Sequence, residues 1–227
     1  MKTRAQSRGR CEFCGMETNK GGMVRHLQKC AKINDILERS NDQKSSKKVY
    51  YHLGVEDAYS KIFWFNLEMA GSETLEYLDA YLRAIWLECC DHLSEFNVGG
   101  WGGKTLDMET KVGVIFKPGL EITHFYDFGT TSETKVKILD SRIGKPLSKH
   151  PLTLLARNIA PEYKCVNCGK KARWLCMECL RENNTWETFC DECVEKHTNK
   201  EYGEAIPLVN SPRLGMCGYT GPAVPPY

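Results

Sequence analysis

The residues in this chain whose types and spacing could do chemistry are its cysteines: 12 of them, with 6 histidines, among 227 residues. The first group reads Cys11-x2-Cys14, then eleven residues, then His26-x3-Cys30. A tetrahedral zinc finger takes two thiolates from a tight knuckle and two donors from adjacent turns of a helix, and a separation of four predicts His26 and Cys30 on one helix face. Gly15, directly after the second cysteine, can adopt the positive φ that a knuckle favours. Phe13 and Leu27 are expected in the finger's small core.

The second group is denser. Cys165-x2-Cys168, Cys176-x2-Cys179 and Cys190-x2-Cys193 are three more knuckle pairs, followed by His197 and then Cys217. Cys217 precedes Gly218 as Cys14 precedes Gly15 and Cys168 precedes Gly169, so it reads as the eighth donor. Eight donors make two sites, and three zincs are expected in all. The favoured pairing is interleaved, with Cys165, Cys168, Cys190 and Cys193 at one zinc and Cys176, Cys179, His197 and Cys217 at the other. That arrangement resembles the cross-braced B-box and MYND-type modules, which bind partners; sequential pairing stays open, because spacing alone does not determine connectivity. Full four-donor sets leave no position for a reacting water, so these zincs are expected to be structural, each worth about 10 kcal/mol of folding free energy. Cys89, Cys90 and His92 (WLECCDHL) are set aside as non-ligands. Cys89 falls on an apolar helical stripe, and near-consecutive helical residues do not converge on one ion.

The elements that must position these donors follow from periodicity. Val49–Val55 and Ile62–Met69 have strand composition, and Ile122–Phe128 with Thr134–Leu139 flank the turn-rich GTTS as a hairpin. Leu75, Leu78, Leu82, Ile85 and Cys89 recur every three or four residues, which predicts one long amphipathic helix from about Ser72 to Leu93, capped by Ser72. The expected fold is α+β: a mostly antiparallel sheet packed on that helix, flanked by an N-terminal zinc finger and a C-terminal two-zinc module. The expected boundaries are 1–33 for the finger, 34–48 for a polar linker, 49–160 for the core, 161–221 for the two-zinc module and 222–227 for a tail. No catalytic residue is assigned. GGWGGKT (residues 99–105) lacks the first glycine of a phosphate loop, where Val98 stands, and His124 and Asp127 have opposite strand parity.

With the motifs in place, the chain resembles the Ri-plasmid (pRiA) ORF-three-like family, known also as a TnpR-type passenger protein of insertion elements. The resemblance is carried by YLRAIWLECCDHLSEF (81–96), YDFGTTSETKVKIL (126–139), LLARN (154–158), the knuckles from Cys165 to His197, and VNSPRLGMCGYTG (209–221). It spans roughly residues 49–221, with the N-terminal finger as an added domain. It implies an α+β core followed by a cysteine-rich module that includes Cys217, and an association with plasmids and mobile elements. It implies no recombinase activity, since neither recombinase residue pattern is present.

Charge adds a direction. Residues 1–48 carry an excess of basic side chains and the remainder an excess of acidic ones, although the formal total is only +2. Three bound zincs with deprotonated thiols move the total to about −2, split into a finger of about +6 and a remainder of about −8. Arg4, Arg8, Arg10, Lys20, Arg25, Lys29 and Lys32 surround the finger and are the expected contacts to DNA or RNA phosphates. A protein partner is expected at the core or the two-zinc module. The N-terminus lacks a signal-type apolar stretch and no run is long enough to span a bilayer, so a cytoplasmic, non-membrane protein is expected. Cytosolic thiols stay reduced, which favours metal over disulfides. The overall expectation is a non-enzymatic, zinc-binding modular protein. A pure protein–protein adaptor, or an enzyme of unknown reaction in the core, are the alternatives.

Overall fold

The computed structural model describes residues 7–41, 47–197 and 205–227. The strands in chain order are β1 (Arg8–Cys11), β2 (Glu17–Asn19), β3 (Lys48–Asp57), β4 (Trp64–Ala70), β5 (Ser94–Val98), β6 (Lys104–Leu106), β7 (Glu121–Tyr126), β8 (Ser132–Gly144), β9 (Leu152–Asn158), β10 (Trp174–Leu175), β11 (Thr188–Phe189) and β12 (Ile206–Pro207). The helices are α1 (Lys20–Leu27), α2 (Ala31–Asn41), α3 (Leu75–Leu82), α4 (Val112–Ile115), α5 (Met177–Glu182) and α6 (Asp191–Val194). β1 to β9 form one antiparallel sheet in the order β2-β1-β9-β4-β3-β8-β7-β5-β6, and β11-β10-β12 form a second, small one. The chain is therefore α+β and mostly antiparallel.

The central strand β4 is buried at all 7 positions, because both faces of the sheet are covered there. Phe65, Leu67 and Met69 enter the main core with Leu75, Leu78, Leu82, Ile85 and Trp86 from the helix. Trp64 enters a second core on the other face, built with Met23, Leu27, Ile33, Leu147, Leu155 and Ala156. β7 and β8 close the hairpin expected over 122–139, and β8 runs on to Gly144 to pair with β3.

The long helix expected over 72–93 is shorter than its apolar stripe suggests. α3 passes into a π turn over Arg83–Leu87, and Glu88, at φ −63° and ψ 114°, leaves the helix. Thr74 is the N-cap, its Oγ1 accepting from the Tyr77 backbone N–H at 3.3 Å, while Ser72 Oγ donates to the Glu73 carboxylate instead. The stripe holds from Leu75 to Ile85, all fully buried, but Cys89 lies past the helix end.

The finger is stitched into the sheet. Gly9 and Cys11 of β1 pair with Asn158 and Ala156 of β9, and Glu12 N–H donates to Leu155 O at 2.9 Å. A Cβ at Gly9 would lie 2.3 Å from Trp64 Cη2, so only glycine allows this approach. α2 occupies the first part of the 34–48 segment read as a linker. Ile33 is buried, and Ile36 and Leu37 pack on the second core, a helical spacing that the surrounding polar residues conceal. Residues 42–46 of that segment lie outside the described residues.

Candidate metal centres

Among the described residues, four groups of Cys and His side chains have their donor atoms within 4.8 Å of one another and could each hold a metal ion. The first is Cys11, Cys14, His26 and Cys30. Cys11 ends β1, and the knuckle closes through Gly15 N–H to Cys11 O at 2.9 Å, with Gly15 at φ 74°. His26 Nε2 lies 3.2 Å from Cys14 Sγ. α1 stops at Leu27, so Cys30 reaches the site from the turn between α1 and α2 and not from the helix face that the four-residue spacing predicts. Burial, foremost among its causes, pushes the Cys11 thiol up to about 11, while Cys14 beside it is lowered despite desolvation, foremost by hydrogen bonding to the Met16 backbone.

The second group is Cys165, Cys168, Cys190 and Cys193. Its two knuckles come from separate stretches of chain that β10 and β11 hold side by side, with Arg173 N–H donating to Phe189 O at 2.8 Å. Cys168 and Cys190 Sγ are 3.6 Å apart. This is the interleaved arrangement, so the sequential pairing is not the one the structure brings together. Hydrogen bonding with the Cys190 and Cys165 side chains pushes the Cys193 thiol up to about 12, whereas Cys165 itself, against its desolvation, is drawn down to about 6 by backbone N–H groups of Cys190, Cys168 and Asn167.

The third group is Cys176, Cys179 and His197, without Cys217. Cys176 is the N-cap of α5 and accepts from the Cys179 N–H at 3.4 Å. His197 Nε2 sits 3.2 Å from Cys176 Sγ and 3.3 Å from Cys179 Sγ, its ring packed on Phe189 at 4.3 Å.

Cys217 joins the residues set aside as non-ligands: the fourth group is Cys89, Cys90, His92 and Cys217. Cys90 Sγ lies 3.0 Å from His92 Nε2 and 3.4 Å from Cys217 Sγ, which is itself 3.4 Å from His92 Nε2. The reason is the early helix end. Past Glu88 the chain is not helical, and Asp91 at φ 57° folds it back so that three donors within four residues converge. The Glu88 carboxylate accepts from Asp91 N–H at 2.6 Å, and Arg83 pairs with both Glu88 and Asp91, which fixes the turn. Cys217 at φ 49° sits between Gly215 and Gly218, both also at positive φ. Buried Arg213 places that segment: it pairs with Asp127 at 2.5 Å, donates to Ser132 Oγ at 2.9 Å and reaches Cys89 Sγ at 3.4 Å. Ser211 Oγ donates to Trp86 O at 2.6 Å. The sequence signal was the compact Cys-Cys-x-His run, outweighed by the apolar stripe that carried the helix too far.

The expected nucleic-acid contacts separate into two kinds. Arg10 is paired with Glu17 at 2.6 Å, Lys20 is paired with Glu56, and Arg8 donates to Glu17 O at 3.2 Å. Arg25, Lys29 and Lys32 are exposed and carry no ion pair among the described residues; Arg4 lies outside those residues. His124 and Asp127 are each held by other partners. His124 is fully buried against Asp79 at 2.6 Å, while Asp127 is held by Arg213. Trp101 is exposed on the β5–β6 turn and packs edge-on to Phe125. Among the described residues no helix is long and apolar enough to cross a membrane.

No family model matches the chain, and no curated protein matches it. Among solved structures it is similar to the protein of unknown function MM3350 from Methanosarcina mazei Go1, with a TM-score of 0.41 and 20% identity over 47% of this chain and 68% of that one.

Proposed function

We propose that this chain is a zinc-stabilised binding protein whose N-terminal finger docks on the phosphates of a nucleic acid. The observation that carries the reading is the convergence of 12 cysteines and three histidines into four compact clusters, since thiolate and imidazole sets of this kind suit zinc. Zinc serves here as scaffold: it holds the finger against β9, braces the C-terminal module and clasps the segment around Cys217 to the end of the α3 helix. The role is binding in the cytoplasm and not turnover. The association with plasmids and mobile elements rests on the sequence resemblance and belongs to the same proposal.

Arg25, Lys29 and Lys32 support the nucleic-acid part. They cluster at the end of α1 and the start of α2, beside the first centre, and none is neutralised by a carboxylate among the described residues. Deleting residues 1–40 would remove β1 and β2 from the sheet and uncover Trp64, so charge substitution is the cleaner test. A triple variant Arg25→Gln, Lys29→Gln, Lys32→Gln should keep its metal and fold yet bind duplex DNA or RNA more weakly. For duplex DNA its salt slope should be shallower by about 0.9 for each phosphate that the variant no longer neutralises. Unchanged affinity and slope would reject the nucleic-acid reading in favour of a protein–protein adaptor.

A further inference from the structure

The four centres differ in how much of their sulfur meets solvent. Of the 12 cysteines, only Cys14, Cys90, Cys168 and Cys217 are exposed. Cys14 stands beside buried Cys11 and Cys30, and Cys168 beside buried Cys165 and Cys190 and half-buried Cys193. Cys176 and Cys179 are both buried. Of the four centres, only the fourth shows solvent two sulfurs, Cys90 and Cys217, and these face each other at 3.4 Å across 127 residues of sequence.

A disulfide joins two thiols that an oxidant can reach and the backbone can bring together, and this pair meets both conditions. Cys90 sits past the helix end at Glu88, and Cys217 at φ 49° lies between two positive-φ glycines, so neither is held in a strand, whereas Cys11 ends β1. A shift of about 1.4 Å brings the two sulfurs to bonding distance. Cys89, whose Sγ lies 3.5 Å from Cys90 Sγ, is the poorer partner. Adjacent cysteines on a trans peptide have Cα atoms about 3.8 Å apart, short of the roughly 4.4–6.8 Å that a disulfide spans. Cys89 is also half-buried, with Arg213 Nη2 at 3.4 Å and Tyr126 OH at 3.7 Å from its sulfur. We propose that Cys90 and Cys217 are an oxidation site, at which hydrogen peroxide converts the zinc clasp into a disulfide clasp.

Zinc holds both sulfurs as thiolates, the form that attacks a peroxide. The Cys90 thiolate attacks one peroxide oxygen: the S–O bond forms, the O–O bond breaks, and the departing hydroxide takes a proton to become water. The Cys217 thiolate then attacks the sulfenic sulfur of Cys90. The S–S bond forms, the S–O bond breaks, and the second hydroxide leaves and is protonated in turn. Two thiolates, one hydrogen peroxide and two protons thus give one disulfide and two waters. Cys89 and His92 remain as the only donors of that group, too few for a tetrahedral zinc, and the ion departs. The segment around Cys217 stays tied to the end of the α3 helix, now by a covalent bond. The inference rests on the fourth centre holding zinc, as proposed above.

The test treats the full-length, zinc-loaded wild type with hydrogen peroxide, follows zinc release with a chromogenic chelator and maps bridges by non-reducing proteolysis and mass spectrometry. The first zinc lost, one per chain, should accompany a Cys90–Cys217 crosslinked peptide lighter by two hydrogen atoms, and a dithiol reductant with added zinc should restore the original count. A first zinc lost without that crosslink, through a Cys89–Cys90 bridge or a sulfinic acid, would overturn the proposal while the fourth centre stood. Earlier oxidation of Cys14 or Cys168 would overturn it equally. Equal zinc counts in wild type and Cys217→Ser before any oxidant would instead overturn the reading on which it rests.

Discussion

Cys217 shows how much can turn on one residue. Its glycine-flanked context shares the positive φ of Gly218 with Gly15 and Gly169, and its partners are decided by where the segment around Arg213 docks. Buried and paired with Asp127, Arg213 sets Cys217 beside Cys90 and His92. Cys217→Ser should therefore release one metal ion per chain and leave the Cys176, Cys179 and His197 centre loaded, as metal analysis with Cys176→Ser for comparison would show. Loss of the ion at Cys176 instead would restore the pairing expected from spacing. Arg213→Met removes the guanidinium from the buried Asp127 carboxylate, which keeps only its backbone bonds from Gly129 and Thr130 and His92 at 3.5 Å, and should cost about 3–5 kcal/mol, measured by denaturant unfolding. Removing one partner of a buried pair is far more damaging than the pair's net worth.

At the scale of elements, β3, β4 and the β7–β8 hairpin were legible because aromatic and β-branched residues cluster in them, whereas β1, β2, β5, β6, β9 and the short strands β10, β11 and β12 were not read. The apolar face of α3 was legible because Leu75, Leu78, Leu82 and Ile85 keep a helical period. The helix end was not legible, since Cys89 continues the period by coincidence and only the turn held by Arg83, Glu88 and Asp91 shows that the chain has left the helix. α2 was hidden for the opposite reason, its short apolar set of Ile33, Ile36 and Leu37 being diluted by polar neighbours. Thr74→Ala should destabilise the fold by about 1 kcal/mol through the lost cap, whereas Ser72→Ala should have little effect on unfolding. Gly9→Ala drives a methyl into Trp64 and the Arg157 carbonyl and should loosen β1 from β9, read as faster amide exchange in both strands. Unchanged exchange would mean that the finger does not depend on this seam.

For the whole molecule, three of the centres lie where spacing predicted thiol clusters, but the partition among them needed the tertiary fold. The net charge is the same under either partition: four ions with every thiol deprotonated leave it at about −2, as do three ions with ten thiolates. Because protons compete with metal for thiolates, and burial raises the Cys11 thiol to about 11, metal affinity should fall as pH is lowered. Chelation at neutral pH should disorder the finger and the C-terminal module while the main core of the sheet and α3 retains protection. The most direct test of the account is the number of metal ions per chain, from native and denaturing mass spectrometry of the full-length protein. Four zincs in the wild type and three in Cys217→Ser are predicted. A saturating stoichiometry of three in the wild type, or a Cys217→Ser variant that still holds four, would contradict the fourth centre and with it the clasp between the α3 helix end and the C-terminal segment.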